Sequence, residues 1–293
     1  MRTPLARAVT YGRMIKLSHS VFALPFALAA AALAAGGAPS PRQVLWILVA
    51  MVGARSAAMG FNRLADHALD ARNPRTAGRE LPTGQLTRAE VWAFVAVSAA
   101  ALVLAAAMLN PVCLALSPVA LLIVFGYSYT KRFTPLSHAF LGLALSIAPV
   151  GAWLAIRGSL GWPPVVLGLA VLLWVAGFDT IYACQDAAHD RSVGLRSLPA
   201  RLGVGRALAA ARAMHVMAVA LLAAVYVLVP LHPVYLAGVA AVAGLLGYEH
   251  SLVRADDLSR VNAAFFTVNG WISVGYLVFT VLGLRLAQGA ATP

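Results

Sequence analysis

Acid is what this sequence has least of. Ten of its 293 residues are Asp or Glu, against 22 Lys and Arg, and charged residues of every kind make up 11%. A soluble domain of this length needs far more polar surface, so a water-soluble globule is excluded. Cysteine is almost missing as well. Cys113 and Cys184 both fall in apolar stretches, far apart, which offers neither a disulfide framework nor a zinc spacing. Both read as small core residues.

What the chain has instead is hydrocarbon, with 61% hydrophobic residues and a mean hydropathy of +0.82. Crossing ~30 Å of bilayer takes roughly 20 residues of helix. Nine stretches qualify: about 18–36, 43–62, 90–109, 111–130, 136–156, 164–185, 207–229, 233–252 and 262–284. The expected fold class is therefore an all-α integral membrane protein of nine transmembrane helices, forming one domain over residues 1–293. Pro25, Pro118 and Pro149 within these stretches are tolerable, because neighbouring helices can satisfy freed backbone groups. The basic start followed by an apolar run resembles a signal peptide, but the eight later spans and the length of the first favour an uncleaved helix.

Positive charge sets the orientation. With nine spans, one side holds the N-terminus and the loops near 63–89, 131–135, 186–206 and 253–261, carrying 17 Lys and Arg, while the other carries only Arg42, Arg157 and Arg285. The positive-inside rule puts the N-terminus and the long loops in the cytoplasm, in a multi-pass protein of the cell inner membrane. The net charge of +12 reflects this asymmetry and attraction to anionic lipid, and gives no argument for nucleic acid.

The scarce acids are not scattered. Asp66 and Asp70 follow the second span, and Asp186 and Asp190 follow the sixth, both pairs offset by 120 residues. Arg79-Glu-Leu-Pro82 recurs as Arg196-Ser-Leu-Pro199, offset by 117. Four spans separate the copies, so both loops emerge on one face. A weak parallel repeat results, with halves of about 18–130 and 136–252 that could close around one site.

Asn62, Asp66 and Asp70 stand at i, i+4 and i+8, as do Tyr182, Asp186 and Asp190, with Asp179 three residues earlier. On a helix such residues share a face, while His189 between the last pair turns away from it. Carboxylates crowded at a membrane boundary repel one another unless a cation lies between them. Mg²⁺ characteristically takes one or two carboxylates, waters and substrate phosphate oxygens. Two facing half-sites would suit a diphosphate bridged by two metals. Arg72, Arg75, Arg79, Lys131, Arg132 and Arg191 all emerge on the same face, as positive-inside anchors or as phosphate ligands. Arg55 lies two turns deeper than Asn62 and points roughly the same way. A buried arginine needs a partner, either an internal carboxylate or one on a substrate.

At these residues the chain resembles the UbiA superfamily of intramembrane aromatic prenyltransferases. The family's N-x₃-D-x₃-D motif matches Asn62, Asp66 and Asp70, and its D-x₂-Y-A-x₂-D-x₃-D motif matches Asp179, Tyr182, Ala183, Asp186 and Asp190. Its Y-P-x₂-K-R-x-T segment corresponds to Tyr127 through Thr134, with Ser128 in place of the proline. Arg63 stands where many members carry a further Asp, and Glu80 replaces a Pro. The resemblance implies a nine-helix bundle around a central cavity with a cytoplasmic-facing site. It further implies Mg²⁺ on Asp66, Asp70, Asp186 and Asp190 as the cofactor. Asn62, Arg75, Arg79, Lys131, Arg132, Asp179, Tyr182 and Arg191 would bind the diphosphate and the acceptor. Asp186, Asp190 and Arg55 form the implied catalytic set, with Arg55 receiving an acceptor carboxylate. Either Asp or a water would act as base. The partners implied are a polyprenyl diphosphate, a small aromatic acid (4-hydroxybenzoate or 1,4-dihydroxy-6-naphthoate in type, for ubiquinone or menaquinone synthesis) and membrane lipid. A cation-coupled transporter, the rival from another class, would hold its ionisable residues near the midplane and favour inverted repeats. Here they cluster at one face.

Overall fold

The computed structural model describes residues 4–15 and 22–291, and the part of the first expected span at 18–21 lies outside them. Helix follows each apolar run. After a short N-terminal helix α1 (Pro4–Met14) come α2 (Ala23–Ala35), α3 (Pro41–Asp70), α4 (Arg88–Leu109), α5 (Pro111–Thr130), α6 (Ser137–Arg157) and α7 (Trp162–Ala183). A 3₁₀ turn at Cys184–Asp186 leads into α8 (Ala187–Ser192), and α9 (Leu198–Leu202), α10 (Val204–Leu228) and α11 (Val234–Ser251) follow. A π turn at Ala263–Val268 opens the final helix, α12 (Asn269–Ala291).

Among the described residues, seven of the nine expected spans are helices long and apolar enough to cross a membrane. The exceptions are α2, with 13 described residues, and α11, whose 18 residues end in Tyr-Glu-His-Ser and so dilute its apolar character. Both are nonetheless packed as bundle members, α2 against α6 and α12 and α11 against α12.

The starts of the helices are written locally. Ser40 accepts from Gln43 N while the Gln43 side chain returns to Ser40, and Thr87 and Glu90 make the same reciprocal pair at the start of α4. Such boxes satisfy amides that a helix start leaves open. Asn110 caps α5 and donates to Leu154 O (2.8 Å) and Ala155 O (3.3 Å) of α6, tying the ends of two helices together.

Two helices outrun the bilayer. α3 has 30 residues, about 45 Å at 1.5 Å per residue, and the run from Trp162 through Ser192 has 31. Hydrocarbon needs only ~30 Å, so the last turns of both project beyond it. Those turns carry the acids. The second expected span stops at 62, but the helix continues through Asp70, because the polar stretch that follows still forms good helix at the water boundary. Elsewhere small residues let backbones close up, as is usual where lipid gives helices no hydrophobic drive to associate. A Cβ at Gly53 would stand 2.8 Å from Ser98 O of α4. One at Gly142 of α6 would collide with Leu172 O of α7.

A buried polar chain ties α7, α10, α11 and α12 together away from the acids. Trp174 Nε1 donates to Asn269 Oδ1 (2.7 Å), and Asn269 Nδ2 donates to Glu249 Oε1 (3.2 Å). His215 bridges Trp174 O (3.1 Å) and His250 Nε2 (3.0 Å). Asn269 and Glu249 are fully buried, so losing the link strands both partners at ~1–3 kcal/mol for each orphaned group. Asn269→Ala should therefore lower the apparent melting midpoint in detergent by about 5 °C. An unchanged midpoint would show that the chain of bonds contributes nothing to stability.

Candidate active site

Two adjoining cavities are walled by α3, α5 and α6; residues of α2 and α4 complete the first, and the end of α7 and the segment after it complete the second. The larger, about 480 Å³, is walled almost wholly by Ala, Leu, Ile, Val and Met side chains, with Arg55 as its charged residue. The smaller, about 270 Å³, is polar and holds Asn62, Asp66, Asp70, Asp179, Asp186 and Asp190. Tyr127 and Leu141 line both, and so mark the boundary. The two sets of acids, 120 residues apart in sequence, face one chamber.

Three of the acids are matched to cations. Asp66, 2% exposed, accepts from Lys131 Nζ (2.5 Å), Arg132 Nη2 (3.3 Å) and Asn62 Nδ2 (3.1 Å). Arg132 also donates to Ala65 O (2.6 Å). Arg79 Nη1 donates to both oxygens of Asp70 at 2.7 and 2.8 Å. Arg75 makes a two-pronged pair with Asp186, Nε to Oδ1 at 3.0 Å and Nη2 to Oδ2 at 2.6 Å. The same guanidinium lies over the Tyr182 ring, 5.5 Å from its centroid. Burial works against charge on Arg75, but hydrogen bonding to Asp186 and its negative charge outweigh that, and its pKa is raised. Asp190 is hydrogen-bonded to Ser197. Asp179 accepts or shares a proton with His138 Nδ1 at 2.6 Å.

Several expectations need correction. The spacing of Tyr182, Asp186 and Asp190 reads as one α-helical face, but the chain tightens to 3₁₀ at Cys184–Asp186. A 3₁₀ turn holds 3.0 residues rather than 3.6, so the phase shifts, and His189 lines the polar chamber instead of turning away. Arg191 does not line it; its Nε bonds Ala187 O one turn back, at 3.1 Å. Arg55 does not share the polar chamber with Asn62 but opens on the apolar one, where Nη2 also reaches Ile15 O at 3.4 Å. Arg63, found where an acid is expected, is 3% exposed and donates to Met14 O at 3.3 Å. It grips the end of α1 and leaves the acids alone. Arg196, the repeat counterpart of Arg79, bonds Phe133 O (3.0 Å) rather than an Asp.

Sequence reasoning misses His138. It sits on α6 in an expected apolar span, 4% exposed, and lines the polar chamber. A lone histidine near the start of a span is the available signal. Ser128, visible in the sequence only as a departure from proline, accepts weakly from Asn62 Nδ2 at 3.4 Å.

Among the described residues no three His, Cys, Asp or Glu side chains form a ready metal cage. The donor set still fits a hard divalent cation, since the chamber offers carboxylate oxygens and no thiolate. Mg²⁺ needs only one or two carboxylates when phosphate oxygens complete its shell, and each half-site supplies two.

The profile of the UbiA prenyltransferase family matches residues 23–273. The 4-hydroxybenzoate octaprenyltransferase of Nitrosospira multiformis is 32% identical over 264 residues, 89% of this chain and 88% of its own. Among solved structures, the apo UbiA homologue of Aeropyrum pernix K1 is 34% identical with a TM-score of 0.79, covering 92% of this chain and 98% of its own. A UbiA homologue from Archaeoglobus fulgidus, solved bound to DMAPP and Mg²⁺, shares the fold at a TM-score of 0.73 and 21% identity, covering 94% and 99%.

The two arginine bonds to Met14 O and Ile15 O make a further outcome measurable. Arg63→Ala should free the end of α1 and speed tryptic cleavage after Arg13 severalfold, as local opening would. Cleavage at the wild-type rate would show that Arg63 does not anchor it.

Proposed function

The chain belongs to the UbiA prenyltransferase family, and on that premise we propose that it transfers a polyprenyl group from polyprenyl diphosphate to a ring carbon of a 4-hydroxybenzoate-type acid. One observation carries the reading: six polar side chains from two distant segments, four of them the Asp residues of the two spaced pairs, line a single polar chamber that adjoins an apolar one. Relatives named 4-hydroxybenzoate octaprenyltransferase at 32% identity favour that acceptor over a dihydroxynaphthoate.

Asp66, Asp70, Asp186 and Asp190 would hold Mg²⁺, which when bound supplies positive charge to the departing diphosphate. Lys131, Arg132, Arg75 and Arg79 already stand on these acids and offer the same charge-assisted hydrogen bonds to phosphate oxygens. Tyr182 supports Arg75 from below, and Asn62 steadies Asp66. The prenyl tail rests against the apolar walls, which keep water from the allylic cation formed as the C–O bond breaks. Arg55, the charged residue of that cavity, receives the carboxylate of the acceptor and turns its ring towards the boundary at Tyr127 and Leu141. Arg191, held to its own helix, serves as a cytoplasmic anchor. The excess of Lys and Arg on the chamber side supports a site facing the cytoplasm, in the inner membrane.

Purified protein given a labelled prenyl diphosphate, Mg²⁺ and 4-hydroxybenzoate should form ring-prenylated product, and chelation should stop it until Mg²⁺ is restored. Asp66→Ala and Asp186→Ala should each lose about 10²–10³-fold in kcat, the scale of removing one preorganised charge-stabilising element. Full activity in either variant would sink the metal assignment, and product with dihydroxynaphthoate alone would sink the acceptor. Arg55→Ala should raise KM for the aromatic acid while leaving that for the prenyl diphosphate near wild type; equal effects on both would refute its role.

A further inference from the structure

We propose that Asp179, aimed by His138, is the group that takes the acceptor's phenolic proton, and that His138 is its positioning residue. The inference rests on the aromatic prenyl transfer proposed above. Asp179 lines the polar chamber with its side chain 23% exposed, while the His138 side chain behind it is 5% exposed. The 2.6 Å bond to His138 Nδ1 occupies Oδ2, which leaves Oδ1 as the oxygen that can meet a ligand. A carboxylate bound to Nδ1 fixes the tautomer with the proton there. Consistently, Nε2 is buried and makes no other hydrogen bond.

The place matters as much as the pair. His138 lies one turn before Leu141, a residue shared by the two cavities. An acid whose carboxylate rests on Arg55 in the apolar cavity would carry its hydroxyl towards that junction. The other candidates for the base are committed elsewhere. Both oxygens of Asp186 are held by Arg75, both of Asp70 by Arg79, and both of Asp66 by Lys131, Arg132 and Asn62. Asp190, on α8 beyond the helix that bears Asp179, bonds Ser197. Asp179 is bound by a single imidazole and by no arginine or lysine among the described residues. The pair exists because α6 and α7 touch backbone to backbone at Gly142 and Leu172, one turn from His138 and two turns from Asp179.

The step balances without a further reactant. The C–O bond breaks and its electron pair leaves with diphosphate, and the ring carbon bonds to the prenyl carbon of the allylic cation so formed. The hydroxyl proton passes to Asp179 Oδ1, giving a neutral cyclohexadienone. The ring proton then goes to diphosphate, and Asp179 returns its proton to the oxygen to restore the phenol.

The test compares His138→Ala, His138→Asn, Asp179→Asn and the double variant His138→Ala/Asp179→Asn in the Mg²⁺, prenyl diphosphate and 4-hydroxybenzoate assay. Asparagine carries an N–H donor where Nδ1 stood. His138→Ala should lose about 10²-fold in kcat, the scale of a displaced catalytic group, with KM for the prenyl diphosphate held within about twofold of wild type. His138→Asn should recover roughly tenfold of that loss, and the double variant should be no slower than Asp179→Asn alone. Wild-type kcat in His138→Ala or in Asp179→Asn overturns the proposal, and so do fully additive losses in the double variant. If His138→Ala does not fold, His138→Asn and Asp179→Asn carry the test, and wild-type kcat in Asp179→Asn is decisive against it. Wild-type protein that prenylates no phenolic acid overturns the function proposed above instead, so the two failures are distinguishable.

Discussion

A carboxylate at the edge of hydrocarbon must be neutralised, and the rest of this structure is organised around that requirement. Removing a charge from water costs several kcal/mol even after relaxation. Asp66 and Asp70 are nearly buried, so the chain brings a base to each of them. The base never comes from the same helix turn. Lys131 and Arg132 arrive from the end of α5, Arg79 from the loop after α3, and Arg75 crosses to Asp186 at the end of α7. Exposed ion pairs contribute little to stability. These are mostly half-buried, and their larger effect is to fix where the loops lie over the chamber.

Helix length does the rest. α3 and the run from α7 through α8 are each about 10 residues longer than a span requires. The excess lifts the acids to the level where polar groups are wet, while the deeper part of α3, with α5 and α6, walls the apolar cavity. One helix, α3, therefore runs along both the apolar cavity and the polar chamber and sets them end to end. Arg196 closes the arrangement from the second loop, since its N–H and guanidinium hold Lys131 O and Phe133 O and so steady the turn that presents Lys131 and Arg132.

Much of this is legible in the amino-acid sequence. Apolar runs of about 20 residues specify helices, because a helix satisfies its backbone polar groups within one segment in lipid while the alternative, a closed barrel, uses shorter strands, and every described run is helical. The Asp residues stand out because acid is so scarce. Arg63 is legible only as an oddity. Its meaning depends on Met14, 49 residues away, and a local pattern cannot report a partner at that distance. His138 and Asp179 are 41 apart, and their meeting depends on how closely Gly142 lets two helices approach. The 3₁₀ turn before α8 is invisible too, because Ala183 to Ala187 contains no Gly or Pro to mark a change of pitch.

For the proposed reaction the site needs both a crowd of charges and one quiet corner. Diphosphate chemistry wants fixed charge at close range, where preorganised donors act most strongly. An allylic cation and a phenol need the opposite, a dry wall and a proton acceptor that is not already bound to arginine. An arginine that pairs with a carboxylate also quenches it as a base, so the two demands are divided among the Asp residues of the polar chamber. At the junction, Tyr127 and Leu141 line both cavities and so bring that chamber up against the apolar walls. Asp179 stands on the polar side of that junction with an imidazole for a partner, while Asp66, Asp70 and Asp186 keep their cations. On the proposed mechanism the same residue type thus takes two roles, and the side chain opposite each Asp decides which.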